Sequence, residues 1–117
     1  MQTDLSDGVR FLAGQGTIDP KRVCIVGASY GGYAALAGGA LTPDLYSCVV
    51  AVAGVSGLRE MLDWEYDRHG EKSHAYRYWT SVIGDPNKDA AAIDAVSPAR
   101  LAAKFKAPVL LIHGNDD

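Results

Sequence analysis

The sequence lacks the features that mark nucleic-acid-binding and membrane-spanning chains. Its 117 residues carry 11 Lys and Arg against 14 Asp and Glu, a formal net charge of −3, with no basic cluster. We therefore expect neither nucleic acid nor an anionic membrane as a partner. No apolar run reaches membrane-spanning length, and the first residues show no basic stretch followed by an apolar core. The chain as given is thus expected to hold no membrane helix and no signal peptide, and its compartment stays open.

Cysteine is scarce, and both cysteines fall inside short apolar runs that predict strands. We expect Cys24 and Cys48 to be buried free thiols rather than a disulfide or a redox pair. The dinucleotide spacing G-x-G-x-x-G and the lysine of a phosphate-binding P-loop are both absent. We expect no metal and no cofactor.

The chain is organised around a serine framed by glycines between an apolar run and a helix-forming segment. Residues 23–26 are apolar and largely β-branched, as in a strand buried on both faces of a parallel sheet. Residues 27–31 read G-A-S-Y-G, which matches G-x-S-x-G, and residues 33–37 favour a helix. A serine on so sharp a turn needs small neighbours, and this segment supplies them. The alternative is a glycine-rich turn that binds a phosphate at the helix start.

This arrangement predicts nucleophilic chemistry at Ser29. The turn would project the Ser29 hydroxyl beyond the carboxyl edge of the sheet, where a general base can reach it. The backbone N–H of Tyr30, the next residue, would face a developing oxyanion.

The other segments complete an α/β pattern. Strands are expected at 48–53 and 109–113, and helices at 4–13, 30–41, 58–66, 73–83 and 98–104, the last capped by Ser97. The fold class is therefore α/β, with about three parallel strands and flanking helices. Residues 58–83 are rich in aromatic and charged side chains, and follow a strand end directly, so they are placed to wall a substrate pocket or merely to pack on the sheet.

A serine nucleophile needs a histidine base and an orienting carboxylate, and only part of that set is present. Asp116 and Asp117 follow the third predicted strand, where this fold places its acid. The three histidines, His69, His74 and His113, all precede them, whereas the base should follow the acid. Three strands would also leave an apolar sheet edge uncovered. We expect residues 1–117 to be an internal part of one hydrolase domain, truncated at both ends and inactive in isolation.

With these residues identified, the chain resembles the catalytic domain of the prolyl oligopeptidase family of serine peptidases. The matching segments are G-A-S-Y-G-G-Y at 27–33, V-A-G-V-S at 52–56 and P-V-L-L-I-H-G-N-D-D at 108–117. The resemblance implies a three-layer α/β-hydrolase fold and selects Asp117 over Asp116 as the triad acid. It also implies a peptide substrate and a histidine beyond Asp117. Within a longer protein, it implies the remainder of the hydrolase domain and often an amino-terminal β-propeller as partners of this chain.

We accordingly predict a serine peptidase that acts by acyl transfer. Val55, Leu58 and Met61, just past the second strand, are expected to line the pocket for the residue before the cut bond. Two alternatives stay open: a carboxylesterase with the same turn and triad, and a non-catalytic hydrolase-like module that binds ligands or partners.

Overall fold

The computed structural model describes residues 1–115, which form a parallel sheet with helices. In chain order the elements are α1 (Gln2–Gly14), β1 (Cys24–Ala28), α2 (Tyr30–Leu41), β2 (Cys48–Val52), α3 (Leu58–His69), α4 (His74–Ile83), α5 (Ala90–Asp94), a 3-10 helix (Pro98–Lys104) and β3 (Val109–Ile112).

The three strands run parallel in the order β1-β2-β3, so β2 is central. The register pairs Ala28 of β1 with Val52 of β2, and Val52 with Ile112 of β3, which brings the three carboxyl ends to one edge. This is the predicted parallel sheet, and it places the turn after β1 beside the turn after β2.

Helix α2 packs closely on the sheet because its buried face is made of small residues. A Cβ added at Gly39 would lie 2.7 Å from Cγ2 of Val49, so only glycine fits at this approach. The core here consists of Ala35, Leu36, Val49 and Ala51. A second core joins α3, α4 and α5 around Leu58, Leu62 and Ile93.

The expectation that β1 is buried on both faces is wrong for the described residues. Val26 is 65% exposed, and Leu110 and Ile112 of β3 are 54% and 48% exposed. Helix α2 packs on the opposite face, the one that carries Val49 and Ala51, together with Phe105. One face of the sheet is therefore apolar and open within residues 1–115.

The cysteine prediction is also wrong, because Cys24 and Cys48 form a disulfide bond. The register places the two residues directly opposite each other, with a Cα–Cα distance of 4.6 Å. Cys24 is exposed and Cys48 is half-buried, so neither is the buried thiol expected from the apolar run. The sequence indicated two strands, but the pairing depends on their register.

Ser97 has a different role from the predicted cap. Its side chain makes no capping hydrogen bond to the 3-10 helix. Instead the buried Ser97 hydroxyl accepts from the Leu58 N–H at 3.2 Å and donates to the Ile93 carbonyl at 2.8 Å. It therefore ties the start of α3 to the end of α5.

Candidate active site

Ser29 is the single residue between β1 and α2, and its backbone conformation is strained. Its φ is 53° and its ψ is −121°, values that a non-glycine residue adopts only when its surroundings impose them. The Ser29 N–H donates to the Val52 carbonyl at 2.9 Å, and the Ser29 carbonyl accepts from the Tyr33 N–H at 3.1 Å. The sheet thus holds one side of the residue and the helix the other, and the side chain is exposed.

Glycines around Ser29 permit close contact between backbone segments. A Cβ at Gly27 would overlap the carbonyl oxygen of Gly31, and one at Gly32 would lie 2.7 Å from the Cα of Gly54. Gly54 follows β2, so the first turn of α2 presses against the end of the neighbouring strand. The predicted need for small residues has this geometric cause.

Tyr30 is the first residue of α2. The first N–H groups of an α-helix have no acceptor within the helix, and they carry the positive end of its dipole. The Tyr30 N–H, next to Ser29, is thus chemically suited to an oxyanion on the atom that Ser29 attacks. This assignment stays a prediction.

An apolar cavity of about 310 Å³ opens beside Ser29. The structure brings all three predicted pocket residues, Val55, Leu58 and Met61, to its wall together with Ser29. A cavity lined in this way suits an apolar side chain. The residues therefore occupy one site, while the roles assigned to them remain predictions.

Helix α4 supplies the far wall of the cavity, one of the two roles that the sequence left open for residues 58–83. Trp79, Val82 and Ile83 line it, at the spacing of one helix face. The signal was present in the aromatic density of residues 58–83, but the sequence did not distinguish a pocket wall from core packing. Trp79 and Ile83 do both, since they also pack against the α3–α5 core.

Tyr33 joins the floor of the cavity to the loop that follows α5. Its hydroxyl donates to the Val96 carbonyl at 3.1 Å, and both residues line the cavity. The Tyr33 hydroxyl is protonated at neutral pH, and burial raises its pKa further, so it stays a donor to a higher pH than an exposed tyrosine.

A larger depression of about 560 Å³ lies along α4 away from Ser29. Its lining mixes both signs of charge, from Glu71, Lys72, Arg77 and Asp85. It contains neither the strained serine nor an apolar wall, so we favour the smaller cavity as the candidate site.

The predicted acid, Asp117, and its neighbour Asp116 lie outside the described residues. The strand that leads to them ends at the relevant edge, because the Ala53 N–H donates to the Ile112 carbonyl at 2.8 Å. Of the histidines, His113 follows β3 directly, and His69 contacts Glu65 at 2.9 Å on the last turns of α3.

Within residues 1–115, no group of three or more His, Cys, Asp or Glu is arranged to hold a metal ion. No helix in the same part of the chain is both long and apolar enough to cross a membrane.

Comparison with known families matches residues 1–117 to peptidase S9, the prolyl oligopeptidase family. The chain belongs to this family of serine peptidases. Over its full length it is 35% identical to dipeptidyl aminopeptidase BIII of Pseudoxanthomonas mexicana, and over 97% of its length it is 34% identical to human prolyl endopeptidase FAP. It spans only 17% and 14% of these two relatives.

Solved structures of α/β-hydrolase peptidases share the fold described here. A puromycin-hydrolyzing peptidase of Mycobacterium tuberculosis superposes with a TM-score of 0.76 at 28% identity, over 92% of this chain and 15% of that one. An acylaminoacyl peptidase of Pyrococcus horikoshii gives 0.68 at 28% identity, over 89% and 16%. An esterase B from a Lactobacillus gives 0.72 at 17% identity, over 99% and 41%, and shows the fold alone.

Proposed function

We propose that the protein containing this chain is a serine peptidase that hydrolyses peptide bonds by acyl transfer, with Ser29 as its nucleophile. The observation that carries the proposal is the position of Ser29: strained, exposed and at the wall of an apolar cavity. A backbone strain of this kind persists only where the surrounding structure maintains it, and such residues cluster at active sites.

In the proposed reaction the Ser29 hydroxyl attacks the carbonyl carbon of the peptide bond and gives its proton to a histidine. The Tyr30 N–H donates a hydrogen bond to the resulting oxyanion. The histidine then protonates the departing amine, and water hydrolyses the acyl-enzyme by the reverse sequence. Asp117 would orient the histidine, which by family resemblance follows it in a longer chain.

The cavity is proposed to bind the side chain of the residue before the cut bond. Val55 comes from the segment after β2, Leu58 and Met61 from the first turn of α3, and Trp79 from α4. These walls are apolar, so we expect an apolar residue at that position of the substrate.

The remainder of the protein is part of the proposal. The chain covers about a sixth of its first relative, and we propose that it is an internal part of one hydrolase domain. Other parts of that domain would supply the histidine and a second oxyanion donor, and a β-propeller would restrict substrates by size. Residues 1–117 in isolation should therefore show no turnover.

A fluorophosphonate probe, which reacts covalently with activated serines, tests the nucleophile. The full-length protein should be labelled at Ser29, and Ser29→Ala should abolish the labelling. Ser47→Ala is the matched control, because Ser47 is an exposed serine at the amino end of β2, away from the site. A full-length protein that the probe does not label would instead support the non-catalytic binding module.

The choice between peptidase and esterase needs a second measurement. We expect aminoacyl or prolyl amides to be cleaved by the full-length protein, as the names of the two relatives suggest. Turnover of p-nitrophenyl esters with no turnover of any such amide would contradict the peptidase assignment and favour a carboxylesterase.

A further inference from the structure

The disulfide joins the strand that leads into Ser29 to its neighbour in the sheet. Cys24 is the first residue of β1 and faces Cys48, the first residue of β2. Their Cα–Cα distance of 4.6 Å lies within the normal range for disulfides. The bond closes a loop with a sequence separation of 24, which contains β1, Ser29 and α2.

Contacts at both ends fix β1 against β2. At the carboxyl end, the Ser29 N–H donates to the Val52 carbonyl at 2.9 Å. At the amino end, the Ser47 N–H donates to the Val23 carbonyl at 2.7 Å, and the disulfide lies directly beside this bond. The strained φ of Ser29 depends on a firmly held strand, because strain relaxes when its surroundings loosen.

We propose that Cys24 and Cys48 form a redox-dependent clamp on β1, whose reduction makes the Ser29 turn less stable. A disulfide lowers the conformational entropy of the unfolded chain more when it closes a longer loop, and this loop includes the whole Ser29 turn. Only the effect on Ser29 labelling rests on the proposed function. The clamp itself rests on the register of β1 and β2 and on the disulfide bond between Cys24 and Cys48.

The redox step is thiol–disulfide exchange with a dithiol reductant. A thiolate of the dithiol attacks one protein sulfur, the S–S bond breaks, and the second thiolate displaces that sulfur from the mixed disulfide. The protein bond gains two electrons and two protons and becomes two thiols, while the dithiol becomes a cyclic disulfide. Within residues 1–115 Cys24 is exposed at the amino edge of the sheet, so the proposal requires that the layer expected over Val26 leaves this edge open to the reductant. Such bonds persist in oxidising compartments and are reduced in the cytosol.

One tryptic peptide reports on the bond and on Ser29 together. Residues 23–59 contain both cysteines and Ser29, follow Arg22, end at Arg59 and have no Lys or Arg between. Without reductant, the full-length protein should yield this peptide with no alkylation and two hydrogens fewer than the dithiol form. After dithiothreitol treatment it should carry two alkyl groups. Two alkyl groups without reductant, or a bond that resists dithiothreitol in the folded protein, would overturn the proposal.

Amide deuterium exchange and fluorophosphonate labelling after heating measure how reduction changes the stability of the Ser29 turn. Reduction should speed exchange in residues 23–59, and should lower by several degrees the temperature at which fluorophosphonate labelling is lost. The double variant Cys24→Ser, Cys48→Ser should behave like the reduced protein and should not respond to dithiothreitol. Identical exchange and heat resistance in both redox states would refute the clamp. Faster exchange on reduction, with no labelling in either state, would support the clamp and refute the proposed nucleophile.

Discussion

Two neighbouring glycines of the Ser29 turn face different surroundings, so one substitution should be harmful and the next tolerated. A Cβ at Gly32 would lie 2.7 Å from the backbone of Gly54, whereas one at Gly31 meets no atom within 4 Å. Backbone cannot rotate away as a side chain can. We expect Gly32→Ala to reduce the free energy of unfolding by about 1–3 kcal/mol, as overpacking does, and to weaken fluorophosphonate labelling.

Gly31→Ala is the matched control for this prediction. Gly31 lies within α2, where alanine favours a helix over glycine by up to about 1 kcal/mol. Urea unfolding of both variants in the full-length protein tests the difference. Equal stability of the two variants would show that the contact between Gly32 and Gly54 does not constrain the turn.

The apolar character of the cavity can be tested from α4. Val82 is 63% exposed and lines the cavity, so Val82→Asp should fold normally while it places a charge beside the bound side chain. Desolvating that charge should lower kcat/KM for an amide with an apolar residue before the cut bond by at least about tenfold. Ser81→Asp adds the same charge to α4 outside the cavity lining, and should leave kcat/KM close to wild type. An equal loss in both variants would mean that the cavity does not bind this side chain.

Sequence patterns predicted the residues whose role depends on local geometry and missed those whose role depends on register. The strained Ser29 and its close-packed glycines follow from the short motif, because one strand, one turn and one helix determine them. The pairing of Cys24 with Cys48 depends on how two strands 24 residues apart align. An apolar run indicates a strand but does not state which residue faces which.

At the scale of whole elements, an ion pair fixes α3 to α5 and to the 3-10 helix. Arg59 donates from Nε and a terminal nitrogen to both oxygens of Asp94, at 2.8 and 2.6 Å. Arg100 lies 3.6 Å from the same carboxylate and also bonds Glu60. Because α3 carries part of the cavity wall, this pair helps to hold the site in shape.

The pair should make stability depend on pH in the acid range. Hydrogen bonds from Arg59, followed by its charge, lower the pKa of the Asp94 carboxyl. A carboxyl whose pKa is lower in the folded state stabilises the fold at pH values above its unfolded pKa of about 3.9. This contribution is lost as the pH falls through the folded pKa. We therefore expect Asp94→Asn to lower the urea midpoint at pH 7 and to change it progressively less as the pH falls below the unfolded value. Asp67→Asn, at an exposed position on α3, is the control and should leave the midpoint unchanged throughout. A constant effect of Asp94→Asn across this pH range would contradict this account.

The positions of the helices along the sequence were more predictable than the contacts that each helix makes. Helix α2 was expected at residues 30–41 and lies at Tyr30–Leu41, because Ser29 and Thr42 bound a continuous run of small and apolar residues. Helix α4 was also expected, but the sequence left open whether it walls a pocket or packs on the sheet. Its role depends on how α3 and α4 pack, and the aromatic side chains of such helices look alike whether they cover a core or a pocket.

At the scale of the whole molecule, the described residues cover one face of β1 and β2 and leave the other face open, while β3 is exposed throughout. Helix α2 covers the face of Val49 and Ala51, while Val26 and Ile112 stay largely exposed. Apolar strands with an open face are typical of a sheet that a second helical layer covers. The three-layer α/β-hydrolase fold contains such a layer, so the open face should be covered in the full-length protein.

One substitution on that face distinguishes the isolated chain from the full-length protein. Isolated residues 1–117 should self-associate through this open apolar face in sedimentation velocity, and Val26→Lys should reduce that association because it adds charge to the face. In the full-length protein the lysine would be covered, and we expect it to destabilise the hydrolase domain by at least about 2 kcal/mol in urea unfolding. Gln15→Lys, which adds the same charge at an exposed position after α1, should leave that stability unchanged. If Val26→Lys is equally harmless in the full-length protein, the face is open there too, and the second layer does not lie over β1.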